Sequence, residues 1–145
     1  MTKPSGADGI APAVSFHFRV TLDDEQVGFA EVLGLEASVS KAAGPVRYGR
    51  VRLRRGIFPG DFALTSWFEA FAADRKRLRT VTIDLLGEDG LAIRRWELLG
   101  AWPGRWLGPE LRASANEVAM ETLEIGYAKL RISDDAGDRA QAPTS

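Results

Sequence analysis

Residues 96–125, WELLGAWPGRWLGPELRASANEVAMETLEI, decide how the rest of the chain is read. Three of the four tryptophans, Trp96, Trp102 and Trp106, sit in the first eleven residues of this stretch. Trp96 and Leu98 alternate with Glu97 and Leu99, the period-two rhythm of a half-buried strand. Gly100-Ala101-Trp102-Pro103-Gly104 then predicts a tight corner, because Pro103 has no N–H for a ladder and glycine admits φ values that other residues avoid. Trp106 and Leu107 resume the run before Gly108-Pro109 turns it again. Across 117–125, Leu123 and Ile125 share one face, with Thr122 and Glu124 on the other. The stretch therefore reads as strand, corner, short polar link, strand. Its Trp-Pro corner is open between plain packing and a contact with a neighbouring chain.

Working outward, 80–86 is strand with Val81, Ile83 and Leu85 inward, and Gly87-Glu88-Asp89-Gly90 is a hairpin turn leading back through 91–99. Residues 61–74 form the one helix, because Leu64, Trp67, Phe68 and Phe71 recur at i, i+3, i+4 and i+7. Its first turn has two candidate caps, Asp61 and a Ser66–Glu69 capping box. Arg75-Lys76-Arg77 complements the negative pole of its dipole. Before it, 48–56 is strand, with Arg50, Arg52 and Arg54 on one face and Val51 and Leu53 on the other. That arginine ladder reads either as a solvated face or as a lining that meets acidic groups, since like charges at i and i+2 repel unless water or partners relieve them.

Nearer the N-terminus, Phe16, Phe18, Val20 and Leu22 alternate with His17, Arg19 and Thr21 in a first strand. A polar turn at Asp23-Asp24-Glu25 leads into a second strand over 27–39, making an antiparallel hairpin. Gly34 interrupts that strand, predicting a bulge or a close backbone approach. After the strand over 117–127 the alternation slips. Leu123, Ile125 and Tyr127 share one face while Ala128, Leu130 and Ile132 take the other, which a bulge or a neighbour covering both sides would explain. Residues 1–13 read as a flexible arm, 14–132 as one β domain, and 133–145 as a disordered tail.

At 145 residues, a single domain buries about 68–70% of its extended surface on folding. No cysteine is present, so disulfide and thiol chemistry are excluded. No apolar run reaches the ~20 residues of a membrane helix, and the N-terminus lacks the apolar core of a secretory signal. Synthesis in the cytoplasm, with no membrane insertion by the monomer, is the expectation.

Catalytic chemistry is sparse. His17 is the lone histidine and lies between two phenylalanines in a strand, and no cluster has metal-ligand spacing. No nucleophile motif accompanies it. The acid pairs Asp23-Asp24-Glu25 and Glu88-Asp89 fall in predicted turns, where solvated loops are the plainer reading. No glycine-rich phosphate cradle is present. The chain is expected not to be an enzyme and to need no cofactor and no metal. Residues 47–79 hold nine Arg or Lys against three Asp or Glu, yet the whole chain carries a net charge of −1, so specific nucleic-acid recognition is not expected.

Four blocks, in order, carry a resemblance to the tail-tube protein family of contractile phages and phage-tail-like contractile injection systems. They are Gly28-Phe29-Ala30-Glu31-Val32 with Gly34-Leu35-Glu36; Val51-Arg52-Leu53-Arg54-Arg55-Gly56; the helix bearing Trp67; and Ala101-Trp102-Pro103, Trp106, Gly108-Pro109 and Asn116-Glu117-Val118-Ala119 with Glu121 and Leu123. The resemblance spans roughly 14–132. It implies a mainly β (α+β) fold: a β-barrel like that of phage tail tubes and the type VI tube, of two orthogonally packed sheets with one flanking α-helix. It also implies a structural subunit forming stacked homo-hexameric rings, a hollow inner tube of a tail or injection particle. Sheath, baseplate or spike, and tape-measure proteins would be its partners, with cargo in the lumen.

On this reading Trp102, Pro103, Trp106 and Glu117 are candidate subunit-interface residues, and Arg50, Arg52 and Arg54 a candidate lumen or inter-ring face. Exposed strand margins invite pairing between copies, which ring closure satisfies. Residues 40–46 are shorter than the Gly/Ser-rich excursion the family carries there. That shortening leaves a tube-initiator or baseplate-adaptor ring as an alternative. A monomeric β-barrel ligand-binding module is a second alternative, disfavoured because inward Phe, Leu, Val, Ile and Trp fill a small barrel.

Overall fold

The computed structural model describes residues 17–113 and 116–134. Phe16, the expected arm at 1–13 and the expected tail from 135 onward lie outside the described residues. The chain order is β1 (His17–Leu22), β2 (Glu25–Val27), β3 (Glu31–Leu33), β4 (Ala37–Ser38), β5 (Arg47–Tyr48), β6 (Val51–Gly56), α1 (Ala63–Ala73), β7 (Arg79–Leu86), β8 (Ala92–Leu107), β9 (Met120–Gly126) and β10 (Lys129–Ser133). The fold is mainly β with one helix, and every strand pairing is antiparallel.

Two sheets share β8. In the first, β2, β1, β7 and β8 run side by side and β10 joins the far side of β8; in the second, β8, β9, β6 and β3 follow in order. The residues that alternate inward on the two sheets meet in one core. Val20, Leu22, Val81, Ile83 and Leu98 come from the first sheet, Val51, Leu53, Leu123 and Ile125 from the second, and Leu64 and Trp67 from α1. Burying side chains of this size contributes roughly 1.5–3 kcal/mol each. Most inward positions are occupied by large apolar side chains, which lends the ligand-barrel alternative no support.

The helix stripe is as read, with Leu64 and Trp67 buried and Phe68 and Phe71 half-buried, but its start is not. Phe62 is the N-cap and no side chain caps it. Asp61 lies one residue earlier and accepts the N–H of Ala63. Ser66 is already helical, its N–H bonded to the Phe62 carbonyl, so the Ser66–Glu69 box does not form. The expected second strand over 27–39 is three short pieces. β2 completes the hairpin with β1, while β3 crosses to the other sheet to pair with β6. Gly34 makes the expected close approach, against the Arg50 carbonyl.

The Trp-Pro stretch is not a break. β8 runs unbroken for 16 residues through Pro103. Gly100 has φ +63°, and the strand changes partners just after it, from β7 and β10 up to Ala101 to β9 from Trp102 onward. A register shift between Pro103 and Arg105 absorbs the proline. The slip in alternation after Ile125 has the same origin. The chain leaves the second sheet at Gly126, Ala128 donates its N–H to the Leu99 carbonyl, and β10 continues in the first sheet. A change of sheet explains the slip without a bulge or a covering neighbour. β10 ends at Ser133, a residue read from the sequence as tail.

Candidate assembly surfaces

The second sheet turns one face to the core and one away from it. On the outer face, register places Leu33, Arg52, Glu124 and Arg105 in one row and Glu31, Arg54, Thr122 and Leu107 in the next. These eight side chains line one shallow groove. Arg54 donates to Glu31 at 3.2 Å, and Arg52 lies 3.5 Å from Glu124. The repulsion expected within an arginine ladder is thus relieved by carboxylates on the strands to either side. Arg105 shares the face but, among the described residues, forms no ion pair. Arg50 departs from the ladder. It lines a separate groove with Phe68 and Phe71 of the helix, Arg75 just beyond its C-terminus, and Trp102, Pro103 and Gly104.

Trp102 and Pro103 are packing residues within this chain. Pro103 is fully buried, and the Trp102 indole lies against Gly126, where an added Cβ would stand 2.6 Å from a ring carbon. Trp106 is 38% exposed, and its indole N–H donates to Glu121 at 3.0 Å. Glu117 is exposed on the link between β8 and β9, 3.9 Å from Arg112. The structure therefore brings Trp102 and Pro103 together, puts Trp106 at a different cluster, and leaves Glu117 apart.

That cluster was missed in the sequence. Arg55 continues the inward face of Val51 and Leu53 and is buried. Its guanidinium donates to both Asp61 oxygens at 3.0 and 2.9 Å and to Glu121 at 3.1 Å, and it lies over the Phe29 ring. Glu121 is also buried and also sits at an inward position, in phase with Leu123 and Ile125. A cation and an anion at core-facing parity on strands that pair is the signal that would have found them. Burial works against the Arg55 charge, but hydrogen bonds and charges from Asp61 and Glu121 outweigh it and raise its pKa. Arg55, with the Ala63 N–H, holds the Asp61 carboxyl below its ordinary range. The cluster seals one end of the core. A second acid, Asp84 on the outer face of the first sheet, is buried between Arg19 and Arg95 of the flanking strands. Each arrangement joins one buried charge to two opposite charges.

Among the described residues no cluster of His, Cys, Asp or Glu is arranged to hold a metal, and no helix is long and apolar enough to cross a membrane.

Residues 14–131 match the family described as "T4-like virus tail tube protein gp19". No curated protein matches the chain in sequence. Among solved structures, the tube-terminating cap of the anti-feeding prophage is 26% identical, with a TM-score of 0.77 over 91% of this chain and 99% of that one. A chain of the sheath–tube complex of the PVC extracellular contractile injection system is 22% identical, at 0.77 over 92% and 99%. Hcp1 from Flavobacterium johnsoniae shares the fold at 12% identity, with a TM-score of 0.62 over 81% and 94%.

Proposed function

The chain belongs to the T4-like virus tail tube protein gp19 family, and from that premise we propose that it closes into hexameric rings which stack into the hollow inner tube of a contractile tail or injection system. Membership of a structural family makes it a structural protein rather than an enzyme.

The observation that carries the ring is the second sheet. Its order, β8, β9, β6, β3, ends on two strands that, among the described residues, have a partner on one side only over Trp102–Leu107 and Glu31–Leu33. Open margins of this kind are aggregation-prone in a monomer and are removed when copies join edge to edge around a closed ring. With an even number of alternating strands, the last strand of one copy runs antiparallel to the first strand of the next. Head-to-tail addition therefore preserves the antiparallel ladder. The outer face bearing Arg52 and Arg54 then looks into the lumen, while the sheath encloses the tube and baseplate, spike and tape-measure proteins meet its ends. Permanent interfaces of this kind bury on the order of 2,000 Å² or more.

A terminal ring of the same machine, joining tube to baseplate or capping the distal end, is the second reading. It is favoured by the short link between β4 and β5 and by the likeness to a tube-terminating cap. Light scattering after size exclusion, with negative-stain images, tests both. Stacked rings support the repeating tube and single rings the terminal one. A monomer at high concentration overturns the ring.

A further inference from the structure

We propose that the ring is keyed by an ion pair between Arg105 of one copy and Glu31 of the next, across the junction of β8 with β3. The inference rests on the ring reading above and adds the residues that set its register. Both side chains stand on the same outer face of the second sheet, at its opposite margins. Arg105 is an exposed cation on the β8 margin with no ion pair among the described residues, although its direct cross-strand neighbour is Glu124. Glu124 is taken by Arg52, on the far side of β9. At the other margin Glu31 keeps 44% of its side chain exposed while holding Arg54, so a carboxylate oxygen is free to accept a second guanidinium.

The charge order across the sheet is thus acid on the β3 margin, cation on the β8 margin, and internal pairs between. Extending the row that holds Leu33, Arg52, Glu124 and Arg105 into a next copy puts Leu33 beside Arg105, with Glu31 two residues along the strand. A two-residue stagger opposes Arg105 and Glu31 directly. Either arrangement is within reach of these long side chains. Every other cation of this face already has its acid. The occupant that satisfies the β8 margin is therefore a second copy of this chain, presenting its own β3 margin.

The head-to-tail geometry gives a sharp test. R105E has acid on both margins and E31R has cation on both, so neither closes on itself. An equimolar mixture alternates the two variants and restores opposite charges at every junction of an even-numbered ring. At a concentration where the native chain elutes as rings, each variant alone is expected to elute as monomer and the mixture as rings. Rings from either variant alone at native yield, or a mixture that stays monomeric, overturn the pairing while leaving the ring reading intact. A native chain that never forms rings removes both. Should E31R fail to fold by circular dichroism, R105Q and E31Q give the readout. A double variant no weaker in assembly than either single supports the pair, and additive weakening overturns it.

Discussion

Replacing Arg55 by methionine isolates the energetics of the sealed end of the core. The change keeps an unbranched side chain of similar length at a position with 3% of its side chain exposed, so packing is largely retained. What is lost is the counter-charge of Glu121, whose own side chain is 7% exposed and is left with the Trp106 N–H as its hydrogen bond. Stranding a buried carboxylate in this way costs about 3–5 kcal/mol. Asp61 adds little, because its side chain is 41% exposed and turns to water, where such pairs contribute about 0–1 kcal/mol. For a domain near 150 residues, each kcal/mol moves the melting temperature by about 2–4 °C, so R55M is expected to melt roughly 6–20 °C lower. Adding E121M removes the stranded charge, and the double variant is expected to recover most of the loss. The assay is thermal and urea denaturation at fixed protein concentration below assembly, since ring formation would itself shift the midpoint. If the losses from R55M and E121M simply add, the cluster is not a coupled buried pair and the reasoning fails.

Gly126→Ala drives a methyl into the Trp102 indole and is expected to cost about 1–3 kcal/mol. In a W102A background that penalty should largely vanish, read as a coupling energy in a double-mutant cycle of denaturation midpoints. Asp61, whose folded-state pKa is lowered mainly by its hydrogen bond from Arg55, binds its proton later than in the unfolded chain. It therefore stabilises the fold above the ordinary value of 3.8, and that stabilisation is lost as pH falls through the depressed value. The stability gap between the native chain and D61N should accordingly close on acidification, as melts at pH 7, 4 and 3 would show. Tyr127 has the opposite dependence. Burial first, then Glu36 and Tyr48, push its phenol above 10.0, so stability is complete below that pH and falls as pH rises past it. Its hydroxyl has no partner among the described atoms, so Y127F should be stable to within about 1 kcal/mol at pH 7 and decline less at alkaline pH.

Much of the fold was legible because burial leaves a period. The stripe of Leu64, Trp67, Phe68 and Phe71 located the helix, and the alternations at 80–86 and 117–125 located strands with Val81, Ile83, Leu123 and Ile125 buried as read, although Leu85 is only half-buried and the second of these strands begins at Met120. What a period cannot show is a change of partner. β8 keeps the backbone of a strand while passing from one sheet to the other, and Pro103 misleads because only β9 lies beside it there, where a missing N–H is tolerated. The slip after Ile125 was visible but ambiguous, since a bulge, a neighbour and a crossing all shift parity alike. The arginines at 52 and 54 were placed on the right face, but the acids opposite them come from strands remote in sequence. Arg55 and Glu121 are charged residues whose parity with Val51, Leu53, Leu123 and Ile125, and not their charge, marks them as buried.

The 16-residue length of β8 has a mechanical consequence. Because one backbone is woven into both layers, force entering either layer crosses to the other along covalent bonds and needs no bridge of side chains. Sliding one layer over the other would require stripping β8 from β7, β9 or β10, and load along a strand strains many hydrogen bonds of its ladder together.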